Sequence, residues 1–416
     1  SGRVNVGDIG RQWDPMAEWE QIYWEAWRHQ RDLFYDKNML GLDWDAVGKK
    51  YAALLPYVAH RNDLNYLLGL MIGELGTGHA YITSPGDTGF QPQSVPVGQL
   101  GADYRVVGDK IQFAKIYRGL NFEEPRRGPL GAPGIEVKDG EYLLAINGEP
   151  VDAKTGVHQF LVDKVEKAVK LTVNDSPTMA GSREIVVRPI GDESDLRYID
   201  WVEGNRRTVR EKSGGRIGYL HVPNTSVQGI IEFLKGFYSN SDAEAWIIDE
   251  RYNGGGFIPT FFIEALQRQM QTMFVPRYGE NVPMPSQSLQ GPMVMLINEF
   301  AGSGGDMLPW LFKRNKLGPL IGTRTWGGLV GIQGGVPLVD GGSVTTPGFG
   351  IFDTQTGELI AENKGVDPDI EVDARPDLVA QGRDPVLERA MEHVTKQLPK
   401  EKRRLPAPIF PKFGQP

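Results

Sequence analysis

Two segments of this chain are built alike: an apolar run, a glycine-rich turn, then a helix-like stretch. Ala245-Trp-Ile-Ile-Asp249 leads into Asn253-Gly-Gly-Gly256, ahead of a helical pattern over Thr260–Gln271. Met293–Ile297 leads into Gly302-Ser303-Gly304-Gly305, ahead of a helix from Met307 to Lys313. A strand that ends in a tight turn and passes at once into a helix is the repeating unit of a sheet with crossover helices. Ile217–Val222 supplies a further strand and Val227–Tyr238 a further helix, so an α/β region is expected from about residue 215 onward. Glycine (52) and proline (29) make up about a fifth of the 416 residues, against a usual ~12%. The glycines gather in these turns, where backbones must approach closely.

The first 90 residues read differently. Asp14-Pro15 is an N-cap with proline at the first helical position. Trp19, Tyr23 and Trp27 then recur at spacing four, with Ile22 and Ala26 on the same side, as a core-facing helix requires. A second helix is expected from about Asp43 to Leu55 and a third over Asp63–Leu75, ending at Gly76. Residues 93–190 form a third pattern. Strands are expected at Tyr104–Val107, Lys110–Ala114, within Ile135–Ile146, at Val169–Val173 and at Arg183–Arg188, with a helix over Val157–Lys167. The Asn147-Gly148 pair is a hairpin turn. The phrase Gly140-Glu-Tyr-Leu-Leu-Ala-Ile-Asn-Gly148 resembles a PDZ domain, a module that binds an extended chain end at a sheet edge. Residues 275–292 read as loop, Pro385–Gln397 as a terminal helix, and the proline-rich, basic stretch after Pro399 as a frayed tail.

The composition excludes several functions. Net charge is −8, which disfavours a general nucleic-acid binder. No apolar run reaches 18 residues, so no membrane span is expected. There is no cysteine, hence no disulfide, thiol nucleophile or thiolate metal site. No His-x-x-x-His pair or carboxylate cluster has metal-ligand spacing, and the glycine loops lack the lysine of a phosphate-binding loop, so no metal or other cofactor is expected.

Ser303 is the sharpest chemical feature. A serine on a glycine-flanked strand-to-helix turn exposes its hydroxyl and gathers backbone N–H groups, although an ordinary N-cap looks the same. The turn at Asn253–Gly256 could bring a second amide to the same point. A serine also needs a base. Of the six histidines (His29, His60, His79, His158, His221, His393), His79 in Gly76-Thr-Gly-His-Ala80 has the loop setting that suits one.

Taken together, Gly76-Thr-Gly-His79, Asp249-x-Arg-Tyr-Asn-Gly-Gly-Gly256, Asn298-Glu-x-Ala-Gly-Ser303-x-Gly-Asp306, Gly322-Thr-Arg-Thr-Trp-Gly-Gly328 and Glu362-Asn-x-Gly-Val-x-Pro-Asp-Ile370 resemble the C-terminal half of the tricorn core proteases, members of the carboxyl-terminal-processing peptidase superfamily. The resemblance covers nearly the whole chain. It implies a multidomain α/β protein: a linker or tag remnant over 1–12, a helical domain over 13–91 that contributes the histidine, and a PDZ-like β domain over 92–191. A ClpP/crotonase-type α/β catalytic domain over 192–398 and a flexible tail over 399–416 would follow. It implies a serine peptidase that cleaves short oligopeptides through an acyl-enzyme, downstream of a larger protease. Ser303 would be nucleophile, His79 base and Glu362 the orienting acid, with the amides of Gly256 and Gly304 as oxyanion hole. Gly255 and the residue at position 274 would touch substrate. It further implies a cytoplasmic hexamer with β-propeller domains upstream, of which no repeat is visible in this sequence.

Two departures from the family pattern matter. The family links histidine to glutamate through a serine just before the histidine; here that residue is Gly78, leaving Thr77 or a water to bridge. Where an archaeal member has an acid that reads basic P1 side chains, an ungapped count reaches Phe274, which would favour apolar P1 residues, with Glu280 as a nearby alternative acid. Two other readings compete. One is an impaired scaffold of the same fold that binds peptides or other ligands, should Gly78 have disabled the site. The other is a Ser/Lys dyad, for which Lys313 and Lys316 are the nearby lysines.

Overall fold

The computed structural model describes residues 14–85, 94–240, 242–286, 288–289, 291–401 and 406–414. The expected 1–12 linker lies outside them. The chain divides into two compact units, Pro92–Thr208 and the remainder, Ser1–Gln91 with Val209–Pro416. The N-terminal helices therefore share a unit with the α/β sheet, while the β-rich segment between them in sequence forms its own.

The larger unit begins with α1 (Pro15–Leu33), α2 (Trp44–Ala52) and α3 (Arg61–Gly73). Asp14 caps α1 as its sequence predicts, its carboxylate accepting from the Met16 and Ala17 amides. The aromatic stripe is core: Trp19, Ile22, Tyr23, Ala26 and Trp27 are buried against Leu64, Leu68 and Met71 of α3. The strand β1 (Ile82–Thr83) follows.

The smaller unit holds β2 (Ala102–Val107), β3 (Lys110–Ile116), β4 (Tyr142–Ile146), β5 (Glu149–Pro150), β6 (Val169–Asn174) and β7 (Arg183–Val187). They form an antiparallel sheet of order β2-β3-β4-β6-β7, with β5 paired to β4. The helix expected over Val157–Lys167 is only a single 3₁₀ turn, His158–Leu161. Val162 instead bridges Val97, and Asp163 and Glu166 take left-handed backbone angles that no helix can contain. At the boundary, Ser194–Lys212 is a helix, α4, which the sequence reading did not assign. Its dense charge hides any apolar stripe.

The larger unit resumes with β8 (Ile217–His221), α5 (Val227–Tyr238), β9 (Ala245–Asp249) and α6 (Pro259–Leu266). Helix α6 ends short of the expected Gln271, because Gln271 bonds across to Met284 and opens a hairpin of β10 (Thr272–Phe274) with β11 (Val282–Met284). Part of the stretch expected as loop is thus strand. Next come β12 (Met293–Ile297), α7 (Gly304–Arg314), β13 (Leu320–Gly322), β14 (Gly331–Pro337), β15 (Ser343–Phe349), β16 (Ile370–Glu371), α8 (Pro376–Val379) and α9 (Pro385–Gln397). The main sheet is parallel throughout, in the order β16-β13-β12-β9-β8. Strands β8, β9 and β12 read as near-continuous apolar runs because helices cover the sheet. Strands β9 and β12 are direct neighbours, with Leu296 opposite Asp249, so the two glycine turns emerge side by side.

A second sheet joins the N-terminal helices to this core. Strand β1 pairs antiparallel with β15, which pairs with β14. Gln30 of α1 donates to the Thr345 carbonyl, and Arg61 of α3 forms a buried ion pair with Asp340 at 2.6 Å. Among the described residues, no helix is long and apolar enough to cross a membrane.

Candidate active site

The backbone of Ser303 is strained. Its φ of 59° and ψ of −116° are sparsely populated for any residue with a Cβ, and here they place serine at the mouth of α7. The turn is pinned from below. Gly302 donates to the Asn253 carbonyl, and Asp306, fully buried in the first turn of α7, accepts from the Ser303 N–H at 2.9 Å. The same N–H also faces the Gly328 carbonyl at 3.1 Å.

The neighbouring turn, 253–256, is pressed against it. A Cβ on Gly255 would lie 2.7 Å from the Ser303 Cβ, and one on Gly304 would lie 2.8 Å from the Gly256 nitrogen. Only glycines allow this approach. Among the described residues, no protein acceptor takes the N–H of Gly256 or of Gly304. Two unpaired amides thus stand close together beside the serine. The loop is held by backbone bonds from Thr225 to Gly255, Gly254 to Pro223 and Ile258 to Thr225. At its root, the Arg251 guanidinium joins buried Asp249 to Asp384. Burial alone would raise the Asp249 carboxyl, but Arg251, His221 and the Tyr219 hydroxyl together outweigh it and hold the group below the usual range.

His79 arrives from the other direction. It follows α3 in a left-handed turn, φ 60°, and lies two residues short of β1, whose pairing to β15 fixes it. Thr345 of β15 ties the turn twice, its hydroxyl donating to the His79 carbonyl and accepting from the Tyr81 N–H, both at 2.7 Å. The imidazole is buried edge-on against the half-exposed ring of Trp326, with centroids 5.4 Å apart. Its Nδ1 has no hydrogen-bond partner among the described residues. Burial lowers its pKa below the ordinary value, and the nearby Glu362 carboxylate only partly opposes that.

Glu362 is not linked to His79 through a side chain. One carboxylate oxygen accepts from the Gly78 N–H at 2.7 Å, the other from the Leu329 and Val330 amides at 2.6 and 2.9 Å. Among the described residues the buried hydroxyl of Thr77 has no partner, so of the two expected bridges, Thr77 or a water, Thr77 does not serve. The loop 325–330 is common ground for all three groups. It carries the Gly328 carbonyl that Ser303 faces, the Trp326 ring that His79 packs on, and the amides that Glu362 accepts from.

The structure therefore gathers Ser303, Gly255, Gly256 and Gly304 at one place and seats His79 and Glu362 on the loop that Ser303 also touches. For Phe274 no contact with these groups appears among the described residues: it is 60% exposed on the β10–β11 hairpin, paired with Val282, and Glu280 lies in the exposed turn beyond. Lys313 lies in the last turn of α7, roughly 15 Å along the helix from Ser303, and pairs with Asp369. Lys316 follows that helix. Among the described residues, no three metal-ligating side chains cluster. Sequence reasoning gave no part to Asp306, Thr225, Trp326 or Thr345. Asp306 had a signal available, since a serine followed three residues later by an acid is a helix-capping pattern.

Three family models match in order: the tricorn protease C1 domain over residues 15–73, the tricorn protease PDZ domain over 98–192 and peptidase family S41 over 216–372. Tricorn protease homolog 1 of Streptomyces coelicolor is 38% identical over 93% of this chain and 36% of its own length. The tricorn protease of Thermoplasma acidophilum is 34% identical over 94% of this chain, again 36% of its own. A crystal structure of the tricorn protease superposes with a TM-score of 0.88 at 32% identity, covering 94% of this chain and 38% of that one. The chain thus spans little more than a third of the length of these relatives.

Proposed function

Because the chain belongs to the tricorn branch of peptidase family S41, we propose that it hydrolyses peptide bonds in short oligopeptides through an acyl-enzyme on Ser303. The observation that carries this reading is the pair of unpaired amides, Gly256 and Gly304, packed beside a strained serine. A tetrahedral intermediate places negative charge on the former carbonyl oxygen, and two fixed N–H donors stabilise it without reorganisation.

His79 is the base. An imidazole with a lowered pKa is neutral at physiological pH and able to accept the Ser303 proton as Oγ attacks the carbonyl carbon. The resulting imidazolium passes that proton to the departing amine as the C–N bond breaks. Water then attacks the ester, giving its proton to His79, which returns it to Oγ as the ester C–O bond breaks and Ser303 is released. Glu362 acts through the backbone: it holds the Gly78 N–H, hence the peptide preceding His79, and its charge favours the imidazolium. Substrates with apolar P1 side chains are preferred, with Phe274 and Gly255 at the substrate. Cytoplasmic action on oligopeptides released by a larger protease, hexameric assembly and the division at residues 92–191 belong to the same reading.

The test is hydrolysis of fluorogenic tri- to pentapeptides varied at P1, with wild type, Ser303→Ala and His79→Ala compared. Both variants should lose activity, and Phe or Leu at P1 should outrun Arg. A variant that keeps wild-type rates removes that residue from the mechanism, and an Arg preference removes Phe274. Silence of the wild type would favour the scaffold reading.

A further inference from the structure

Asp306 has no part in the chemistry above, yet it is fully buried and accepts four hydrogen bonds. One oxygen takes the Thr325 hydroxyl at 2.5 Å and the Gly327 N–H at 2.8 Å. The other takes the Ser303 N–H at 2.9 Å and the Gly328 N–H at 3.1 Å. Two carboxylate oxygens offer about four acceptor sites, so the group is filled. Among the described residues its partners come from two segments: the serine turn, and the loop on which His79 and Glu362 rest.

Two consequences follow. The amide of Ser303 is committed to Asp306 and Gly328, which removes it as an oxyanion donor and leaves that task to Gly256 and Gly304. The placement of serine relative to histidine also passes through this carboxylate. The 325–330 loop carries Trp326 against the imidazole and supplies two of the three amides that hold Glu362.

We propose that Asp306 is a positioning residue that sets Ser303 against His79 by clamping the serine turn to the 325–328 loop. This rests on the reading of Ser303 and His79 as nucleophile and base. The clamp works through acceptor capacity as well as charge, since each of its four donors needs a lone pair.

Asp306→Asn tests it. The substitution is isosteric, but an amide nitrogen cannot accept, so half of the acceptor capacity is lost. A shift of the serine of about 1 Å costs about 100-fold in rate. The kcat per active site, titrated with a fluorophosphonate, should fall by that order while KM stays within threefold. A carboxylate that only stabilised the fold would lower the number of titratable sites and leave kcat per site unchanged. Thr325→Val keeps the carboxylate and removes one donor, so its kcat per site should fall by a smaller factor, about threefold to tenfold; it also serves if the Asn variant does not fold. An active wild type beside an Asp306→Asn or Thr325→Val enzyme of unchanged kcat per site overturns this inference alone. A wild type that neither hydrolyses peptides nor takes the label overturns the peptidase reading and this inference with it.

Discussion

A single methyl group at position 304 should separate the two amides on which the proposed oxyanion site depends. The Cβ of an alanine there would lie 1.9 Å from the Thr225 hydroxyl oxygen, 2.5 Å from the Gly256 carbonyl oxygen and 2.8 Å from the Gly256 nitrogen. Thr225 is fully buried and has little room to turn aside. The Gly256 contacts are backbone, and ordinary van der Waals contact begins at 3.4 Å. Relief requires the 256 peptide to retreat by about 0.9 Å (3.4 − 2.5), and a displacement near 1 Å at a reacting centre costs about 100-fold. Losing one oxyanion donor outright costs ~2.7–4 kcal/mol, or about 100- to 1,000-fold in kcat. Gly304→Ala should therefore lower kcat by about two to three orders of magnitude, with KM little changed, since the lost interaction belongs to the transition state. The assay is steady-state hydrolysis of a fluorogenic peptide, with circular dichroism confirming the fold. A folded Gly304→Ala enzyme within threefold of wild-type kcat would refute the assignment of these amides.

Other expectations follow from the same geometry. The acid limb of kcat/KM should have its midpoint below 6.5, because buried His79 stays neutral to lower pH than free imidazole; Glu362→Gln, which removes the opposing charge, should move it lower still, and a limb at or above 6.5 contradicts the assignment. Gly78→Ser should raise kcat severalfold, since its Cβ would sit 3.4 Å from the Glu362 oxygen and its hydroxyl could join acid to base. The cost is a 3.2 Å approach to Gly328, and unchanged or lower kcat in a folded variant argues against any missing relay. Glu250 is buried, its carboxyl oxygens find no well-formed hydrogen bond among the described residues, and it is pushed well above the ordinary 4.5, first by burial and then by the charges of Asp306 and Asp249, which the neighbouring Asn253 amide opposes only weakly. The unfolded carboxyl ionises as pH rises past 4.5 while the folded one keeps its proton, so this group costs stability increasingly with pH. Glu250→Gln should be more stable than wild type to urea at pH 7.5 and no more so at pH 4; an equal gap at both values refutes the reasoning.

Much of the architecture was legible because local signals agreed with the fold. Asp14 before Pro15 fixes the start of α1, and the apolar runs 245–249 and 293–297 are strands to the residue. The sequence reading failed where tertiary pairing decided. Val157–Lys167 gives up its helix to bridge Val97, and Gln271 leaves α6 to start a hairpin. The candidate site was legible as residue types on glycine turns. It was not legible as connections, because Glu362 meets Gly78 through main-chain atoms, and a backbone N–H leaves no mark in a side-chain pattern. The Thr77 hydroxyl, which the sequence offers as a bridge, makes no such bond among the described residues. The attachment of the N-terminal helices to the β15 sheet was hidden for the same reason: its two-residue strand, Ile82–Thr83, is too short to announce itself.

The bond between Gly78 and Glu362 spans 284 residues of chain. During synthesis at about 5–20 residues per second, roughly a quarter of a minute to a minute separates the emergence of its two ends. The histidine is made before the serine, and the acid that accepts from the amide beside the histidine is made after both. On the proposed reading, a ribosome-bound chain would carry base and nucleophile before it carried the acid. On that reading, the order of these three groups along the polypeptide delays cleavage until Glu362 has been made and has reached the Gly78 amide.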